Sequence, residues 1–254
     1  MPEAEPISPR AINYHQATTP NQKENANMCR VDGCYRAPTK FSALCEYHRN
    51  VARVHGDPCQ KGITRADLKP YLKLIRDYTS KRSGPRAEAV IQRDWERVVR
   101  DAERFLEAIG RGKPHNKHQR KAAEIVVDVS GEHHAMDVAV TLMALGYFYA
   151  DLPRRWASDK GFQFQAVRMF RKLAKSEADY AWTSGGRMIR SSAKRCPQEV
   201  TRALWASIEA THFIGYGIQI RQQIERERAL KQKDRIADLR EILGPASFAT
   251  RGEA

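Results

Sequence analysis

No stretch of this chain stays apolar for long enough to cross a bilayer: the longest run, Val138 to Ala150, covers 13 residues, against about 20 for a spanning helix. The first 27 residues, polar and carrying Pro, Asn, Gln and Thr, lack the apolar segment of a secretory leader. There is no nucleotide fingerprint, no paired-carboxylate site and no nucleophile with an adjacent base. Trp182-Thr-Ser-Gly-Gly186 reads as a turn, because it lacks the Gly-Lys-Ser/Thr ending of a phosphate loop. Cysteine is scarce, at five in 254 residues, and four of the five fall within 31 residues. That clustering argues against a disulfide framework and for a reducing cytoplasm. Acidic residues are outnumbered 30 to 44 by Lys and Arg. The resulting net charge of +14 favours a polyanionic partner such as nucleic acid.

What is present in place of these features is a metal-ligand pattern. Cys29, Cys34, Cys45 and His48 read C-x4-C-x10-C-x2-H. Thiolates and an imidazole suit a tetrahedral Zn²⁺ ion, and two short-range pairs separated by a loop are what a small metal-nucleated fold requires. A chance cluster of buried apolar cysteines is the alternative, but the polar segment around them has no need of small hydrophobes. Gly33, directly before the second ligand, stands where a tight turn needs a positive φ. Ala43 to His48 would begin a short helix carrying the second pair. With all four positions filled by protein, the ion is expected to be structural, with no position free for Lewis-acid work. His55 and Cys59 are left open as substitute ligands.

Cys29, Gly33, Cys34, Arg36, Pro38, Leu44, Cys45, His48, Arg53 and the run His55-Gly56-Asp57-Pro58 together resemble a zinc module of bacteriophage proteins. That module accompanies HNH homing endonucleases and is found in small DNA-binding proteins. The resemblance covers about thirty residues. It departs from the family pattern at Ala43, where glycine is usual, and at Tyr47, an aromatic before the histidine instead of after it. It implies a zinc-bound, DNA-binding segment from a phage or mobile element, which would place the protein in a host cytoplasm.

The rest reads as helix. Thr64 with Asp67 is a plausible helix start, although Pro70 moves the expected beginning towards Lys69. The next helix, about Arg86 to Ile109, carries Ile91, Trp95, Val98, Ala102, Phe105 and Ile109 at alternating intervals of 4 and 3, a single packing seam. Arg93, Arg97, Arg100, Arg104 and Arg111 lie two residues on, about 200° around the helix and away from that seam. Residues 62 to 120 hold 15 Lys and Arg against 8 Asp and Glu, so half the excess charge lies here. A solvated face with Glu96–Arg100 and Arg97–Asp101 pairs is the bland reading, and a rail for phosphates the sharper one.

His115, Asn116 and His118 in the basic loop invite an HNH reading. It is rejected because a nuclease of that kind needs a hairpin base and a helix-borne metal ligand. Glu132, His133 and Asp137 read as an exposed first turn, not a metal site. Val138 to Ala150 reads as a core helix, and Phe162, Val167, Phe170 and Leu173 as an amphipathic one. A long helix is expected from Pro197 to at least Leu230, followed by helical spacing at Ile236, Leu239 and Ile242 up to a stop at Gly244-Pro245.

The expected fold is mainly α: a flexible arm (1–27), a zinc-binding module (28–61), a helical domain with a long C-terminal helix (62–243) and a flexible tail (244–254). The favoured function is a non-catalytic nucleic-acid-binding protein, with DNA the expected polymer. Arg30, Arg36, Lys40, Arg49, Arg53, Arg93, Arg97, Arg100 and Arg104 are the expected phosphate contacts, and the ion is one structural Zn²⁺. The alternative is a protein–protein assembly module stapled by zinc, forming a homo-oligomer or taking a protein partner through the C-terminal helix. A metal-dependent nuclease ranks third.

Overall fold

The computed structural model describes residues 28–82, 84–174, 179–182, 188–191 and 196–243. The arm, the tail with its Gly244-Pro245 stop, and the turn at 183–187 lie outside the described residues. The fold is mainly α, and the chain divides into two compact units, one ending at Arg49 and the other beginning at Asn50. From the sequence the first unit was expected to run to residue 61. The segment 55–61 instead bonds to elements of the helical unit, for reasons given below.

In the first unit the chain folds back on itself without regular structure until α1 (Glu46–His55) begins. The Cys29 N–H donates to the Arg36 carbonyl at 2.9 Å and the Arg30 N–H to the Ala43 carbonyl at 2.8 Å. Gly33 has φ +75°, the left-handed conformation expected of it. Only Cys29 and Cys45 are buried between residues 28 and 49. Among the described residues of this unit there is therefore no apolar core.

The helical unit comprises α2 (Arg65–Arg82), α3 (Pro85–Gly110), α4 (Lys117–Glu132), α5 (Ala135–Asp151), α6 (Asp159–Arg171), α7 (Gln198–Ala210) and α8 (Phe213–Leu243). Helix α5 is the centre, and Val138, Ala139, Leu142, Ala144 and Leu145 are fully enclosed. Helix α3 turns Ile91, Trp95 and Val98 into the core as its spacing predicts. Tyr71, Phe148, Trp156, Phe162 and Trp205 extend that core as a chain of ring contacts.

Helices α5 and α8 meet backbone to backbone. A Cβ on Gly146 would collide with the Ile214 carbonyl, and one on Gly217 with the Met143 carbonyl. Each glycine thus makes room for the other helix.

Three expectations are corrected. Helix α2 starts at Arg65, not near Lys69: Thr64 Oγ1 accepts the Asp67 N–H at 3.2 Å while Asp67 Oδ2 accepts the Thr64 N–H at 2.8 Å. This reciprocal cap outweighs Pro70, whose missing N–H costs one bond on an exposed stretch. The helix expected from Pro197 onward breaks at His212, which has φ +61°. The break lets Phe213 turn inward, where it is fully buried. A short antiparallel hairpin, β1 (Asp179–Trp182) with β2 (Met188–Ser191), occupies a region where no strand was expected.

The His55-Gly56-Asp57-Pro58 run is held by the helical unit. Gln165, wholly buried, donates through Nε2 to His55 Nδ1 at 2.9 Å and accepts the Ile63 N–H at 3.1 Å. Asp57 accepts the Ser158 hydroxyl at 2.8 Å, and Ser158 also caps α6 by accepting the Gly161 N–H. Buried Gln60 takes the Ala157 N–H at 3.0 Å and gives an N–H to the Lys61 carbonyl at 2.7 Å. Burying polar groups is tolerable only when they are satisfied in this way. The motif therefore serves as a docking strip for α6.

Candidate metal centre

The four residues singled out by spacing converge. One ligand atom from each of Cys29, Cys34, Cys45 and His48 lies within 4.8 Å of all the others. His48 turns Nδ1 to the sulfurs, 3.3 Å from Cys29 Sγ and 3.4 Å from Cys45 Sγ, and Cys34 Sγ is 3.9 Å from Cys45 Sγ. Ideal tetrahedral bonds of about 2.3 Å to sulfur and about 2.0–2.1 Å to nitrogen put ligand atoms about 3.5–3.8 Å apart. The two sulfur–nitrogen separations are slightly shorter and the Cys34–Cys45 separation slightly longer than this, and all four atoms lie within 4.8 Å of one another, a size that admits one ion. No disulfide joins the cluster: the Cys34 and Cys45 sulfurs stand 3.9 Å apart, against about 2.05 Å in a disulfide.

Local folding explains the convergence. The turn at Gly33 closes with the Cys34 N–H on the Val31 carbonyl at 3.0 Å, which swings the second sulfur back towards the first. Cys45 stands directly before α1, so His48 falls one helical turn further along the same face. The Cys45 N–H donates to Cys29 Sγ at 3.3 Å, stabilising a thiolate before any ion arrives.

Electrostatics gives the same answer. Burial works against ionising Cys29, but the backbone N–H groups of Cys45 and Val31, with His48 and Cys45 behind them, bring its thiol down to about 6. At Cys34 the Arg36 N–H favours the thiolate, yet burial and the neighbouring sulfurs of Cys45 and Cys29 hold the pKa above its ordinary value. Cys29 ionises readily, whereas Cys34 holds its proton, and a bound cation would favour the second thiolate. The residues fit a metal ion, which would find four protein ligands and no open position.

His55 and Cys59 do not belong to this group. His55 is engaged with Gln165, and burial followed by the nearby Arg168 charge lowers its pKa. Among the described residues no other set of three His, Cys, Asp or Glu side chains is placed to share an ion. In the basic loop Asn116 caps α4 by accepting the His118 N–H at 2.8 Å, a structural task that accounts for it without catalysis. His133 reaches the Leu173 carbonyl at 3.1 Å.

All nine basic residues expected to meet phosphates are exposed, but their surroundings differ. In the metal-binding unit the Arg36 guanidinium lies 5.5 Å from the Tyr47 ring centre and Lys40 Nζ 5.7 Å from that of Phe41, while Arg30 and Arg49 lie open to solvent. In the helical unit Arg53 donates to Asn50 at 3.0 Å. On α3, Arg93 pairs with buried Asp94 at 3.2 Å, and Arg104 lies 3.9 Å from Asp101. Arg97 donates to the Ala210 carbonyl at the end of α7 at 2.6 Å, where a cation meets the negative end of the helix dipole. It does not pair with Asp101. Arg100 lines a cleft of about 380 Å³ with Glu96 and Glu103. The arginine stripe is therefore partly committed to holding helices together, a use that spacing alone does not reveal.

Sequence reasoning passed over the aromatic residues of the metal-binding unit. Tyr35, Phe41 and Tyr47 are all exposed, and each stands beside a ligand or a basic residue in the chain. That interleaving was the available signal.

No protein-family model matches the chain, and no curated protein or solved structure matches it either. Among the described residues no helix is long and apolar enough to cross a membrane.

Proposed function

We propose that Cys29, Cys34, Cys45 and His48 hold one structural Zn²⁺ ion, and that the protein binds nucleic acid, most naturally DNA, without catalysing a reaction on it. The observation that carries this reading is the convergence of four candidate ligands in a segment, residues 28–49, that buries no other side chain and exposes the cations Arg30, Arg36, Lys40 and Arg49. The ion supplies rigidity: it fixes a backbone that otherwise lacks the buried surface to fold. The cations then stand at defined positions for phosphates, with Arg53, Arg93, Arg97, Arg100 and Arg104 as further contacts. Likeness to the phage zinc module supports the same assignment and suggests a phage or mobile-element protein working in a host cytoplasm.

Electrophoretic or anisotropy titrations with DNA and RNA, single- and double-stranded, at two salt concentrations test this. If six to ten phosphates are neutralised, affinity falls roughly 10³–10⁵-fold between 50 and 200 mM salt. Binding indifferent to salt, or no zinc in protein purified without added metal, would end the proposal. Incubation with DNA and Mg²⁺ or Mn²⁺ tests the nuclease reading, and cleavage lost on mutating His115 or His118 would establish it.

A second reading rests on α8. Leu230, Ile236 and Leu239 are 61%, 41% and 50% exposed there, a modest apolar set on a helix that leaves the core. Assembly with another copy or a protein partner would cover it. A defined oligomer in light scattering, without nucleic-acid affinity, would favour this reading.

A further inference from the structure

The metal-binding unit has three aromatic rings between residues 28 and 49, and none is used for packing. Tyr35 is 84% exposed, Phe41 86% and Tyr47 57%. Single exposed rings are ordinary on a protein surface, but here all three of these rings are offered to solvent, and two carry a cation over the face. Tyr35 and Tyr47 also line, with Arg36 and His48, an open cleft of about 560 Å³, large enough to admit a flat heterocycle. Tyr47 is not loose: its ring sits edge-on to that of His48, with centres 5.1 Å apart and planes at 70°. The ligand cluster thus sets the ring's position.

We infer that this surface takes unstacked bases, so that the protein binds single-stranded nucleic acid in preference to duplex, with Tyr35, Phe41 and Tyr47 as stacking platforms and Arg30, Arg36, Lys40 and Arg49 on the intervening phosphates. The inference rests on the proposed nucleic-acid function and specifies its substrate. A base has a π-face for each ring, and its phosphate a charge for each cation. In a duplex those faces are already occupied by neighbouring bases, so the rings gain nothing from it. A proline-rich or other apolar peptide would use the rings but leave the cations without partners, and charge complementarity therefore selects the polynucleotide.

The test uses the full chain in its metal-loaded form, with dye-labelled oligothymidylate and a mixed-sequence duplex as probes at one fixed salt concentration. Tyr35→Leu, Phe41→Leu and Tyr47→Leu keep bulk but remove the π-face, while Tyr35→Phe and Tyr47→Phe keep it. All variants are compared at equal zinc content. The expected result is tighter binding of the single strand by the unaltered protein. Each Leu variant should lose roughly 5- to 150-fold in that affinity, the Phe variants should retain it, and duplex binding should change by less than about twofold. Equal affinity for both probes, or single-strand binding unmoved by the Leu variants, overturns the inference while leaving nucleic-acid binding intact. Binding of neither probe at low salt overturns both, and selective capture of a proline-rich peptide by the same rings would replace the partner class.

Discussion

The two units of this protein reach a fixed structure by opposite means. In the helical unit, a continuous cluster of apolar side chains around α5 excludes water, and the buried amides of Gln165 and Gln60 are paired within it. Among the described residues of the metal-binding unit, the only buried side chains are two of the candidate ligands themselves, Cys29 and Cys45. Hydrocarbon burial spreads stability over dozens of residues, each worth about 1.5–3 kcal/mol when fully enclosed. A coordination shell concentrates it in four. The first arrangement tolerates loss of any one contact. The second leaves nearly all of the side chains described between residues 28 and 49 free for the surface, among them Tyr35, Phe41, Tyr47 and the four cations.

With the proposed zinc bound, the largest effect should come from removing it. Structural zinc contributes about 10–16 kcal/mol in small metal-nucleated folds, so chelation or Cys45→Ser should unfold the metal-binding unit outright. All four tryptophans, Trp95, Trp156, Trp182 and Trp205, lie in the helical unit. Their fluorescence-detected unfolding should stay unchanged under chelation, and a collapse of both units together would erase the contrast drawn above.

Next in size are the breaks confined to the helical unit. Leu142→Ala should cost about 2–5 kcal/mol, because Leu142 is fully buried in α5. Gly217→Ala should cost at least about 1–3 kcal/mol by forcing α8 off the Met143 backbone. Denaturant titration followed by tryptophan fluorescence measures both, and zinc content should remain at one ion per chain.

A smaller effect is expected in alkali. Tyr71 donates to Asp151 at 3.0 Å and Tyr149 to Asp159 at 2.6 Å. Burial, then those carboxylates, pushes both phenols up to about 12. The unfolded chain ionises its tyrosines near pH 10, so the folded state holds protons that the unfolded state has lost. The stability from these two groups is complete below pH 10 and disappears as the pH rises from 10 to 12, about 1–2 kcal/mol in all after allowance for their partial exposure. Ultraviolet titration should find Tyr71 and Tyr149 among the late phenols, and Tyr71→Phe should remove one of them.

The smallest effect sharpens the reading of α3. Arg97→Ala should lower the stability of the helical unit by about 0.3–1 kcal/mol, the value of a cation at a helix C-terminus, as seen in the same denaturant titration. A substitution that left stability untouched but weakened DNA binding would return Arg97 to the phosphate rail.

The ligand set, the glycine turn at Gly33, the seam of α3 and the enclosed α5 were all legible in the sequence, because each follows from a short-range rule of spacing or conformation. What escaped depended on distant partners. Nothing local to Ala210-Thr211-His212-Phe213 announces a break; the left-handed His212 is held because Phe213 finds a site in the core. The His-Gly-Asp-Pro run was assigned to the zinc module by its resemblance to the phage family, and that resemblance carries no sign of what the run bonds to. Its bonding partners, Gln165 and Ser158, lie about a hundred residues away. Gly146 and Gly217 carry no visible signal until each is seen facing the other helix.

That last pair has a consequence for the tail of α8. Where two main chains touch, no side chain stands between them to yield or repack, so the angle at which α8 crosses α5 is dictated by two absent methyl groups. Everything beyond the crossing, out to the exposed Leu239, inherits its heading from that pivot. Sequence drift can recolour the solvent-facing turns of α8 at little penalty, but it cannot re-aim them.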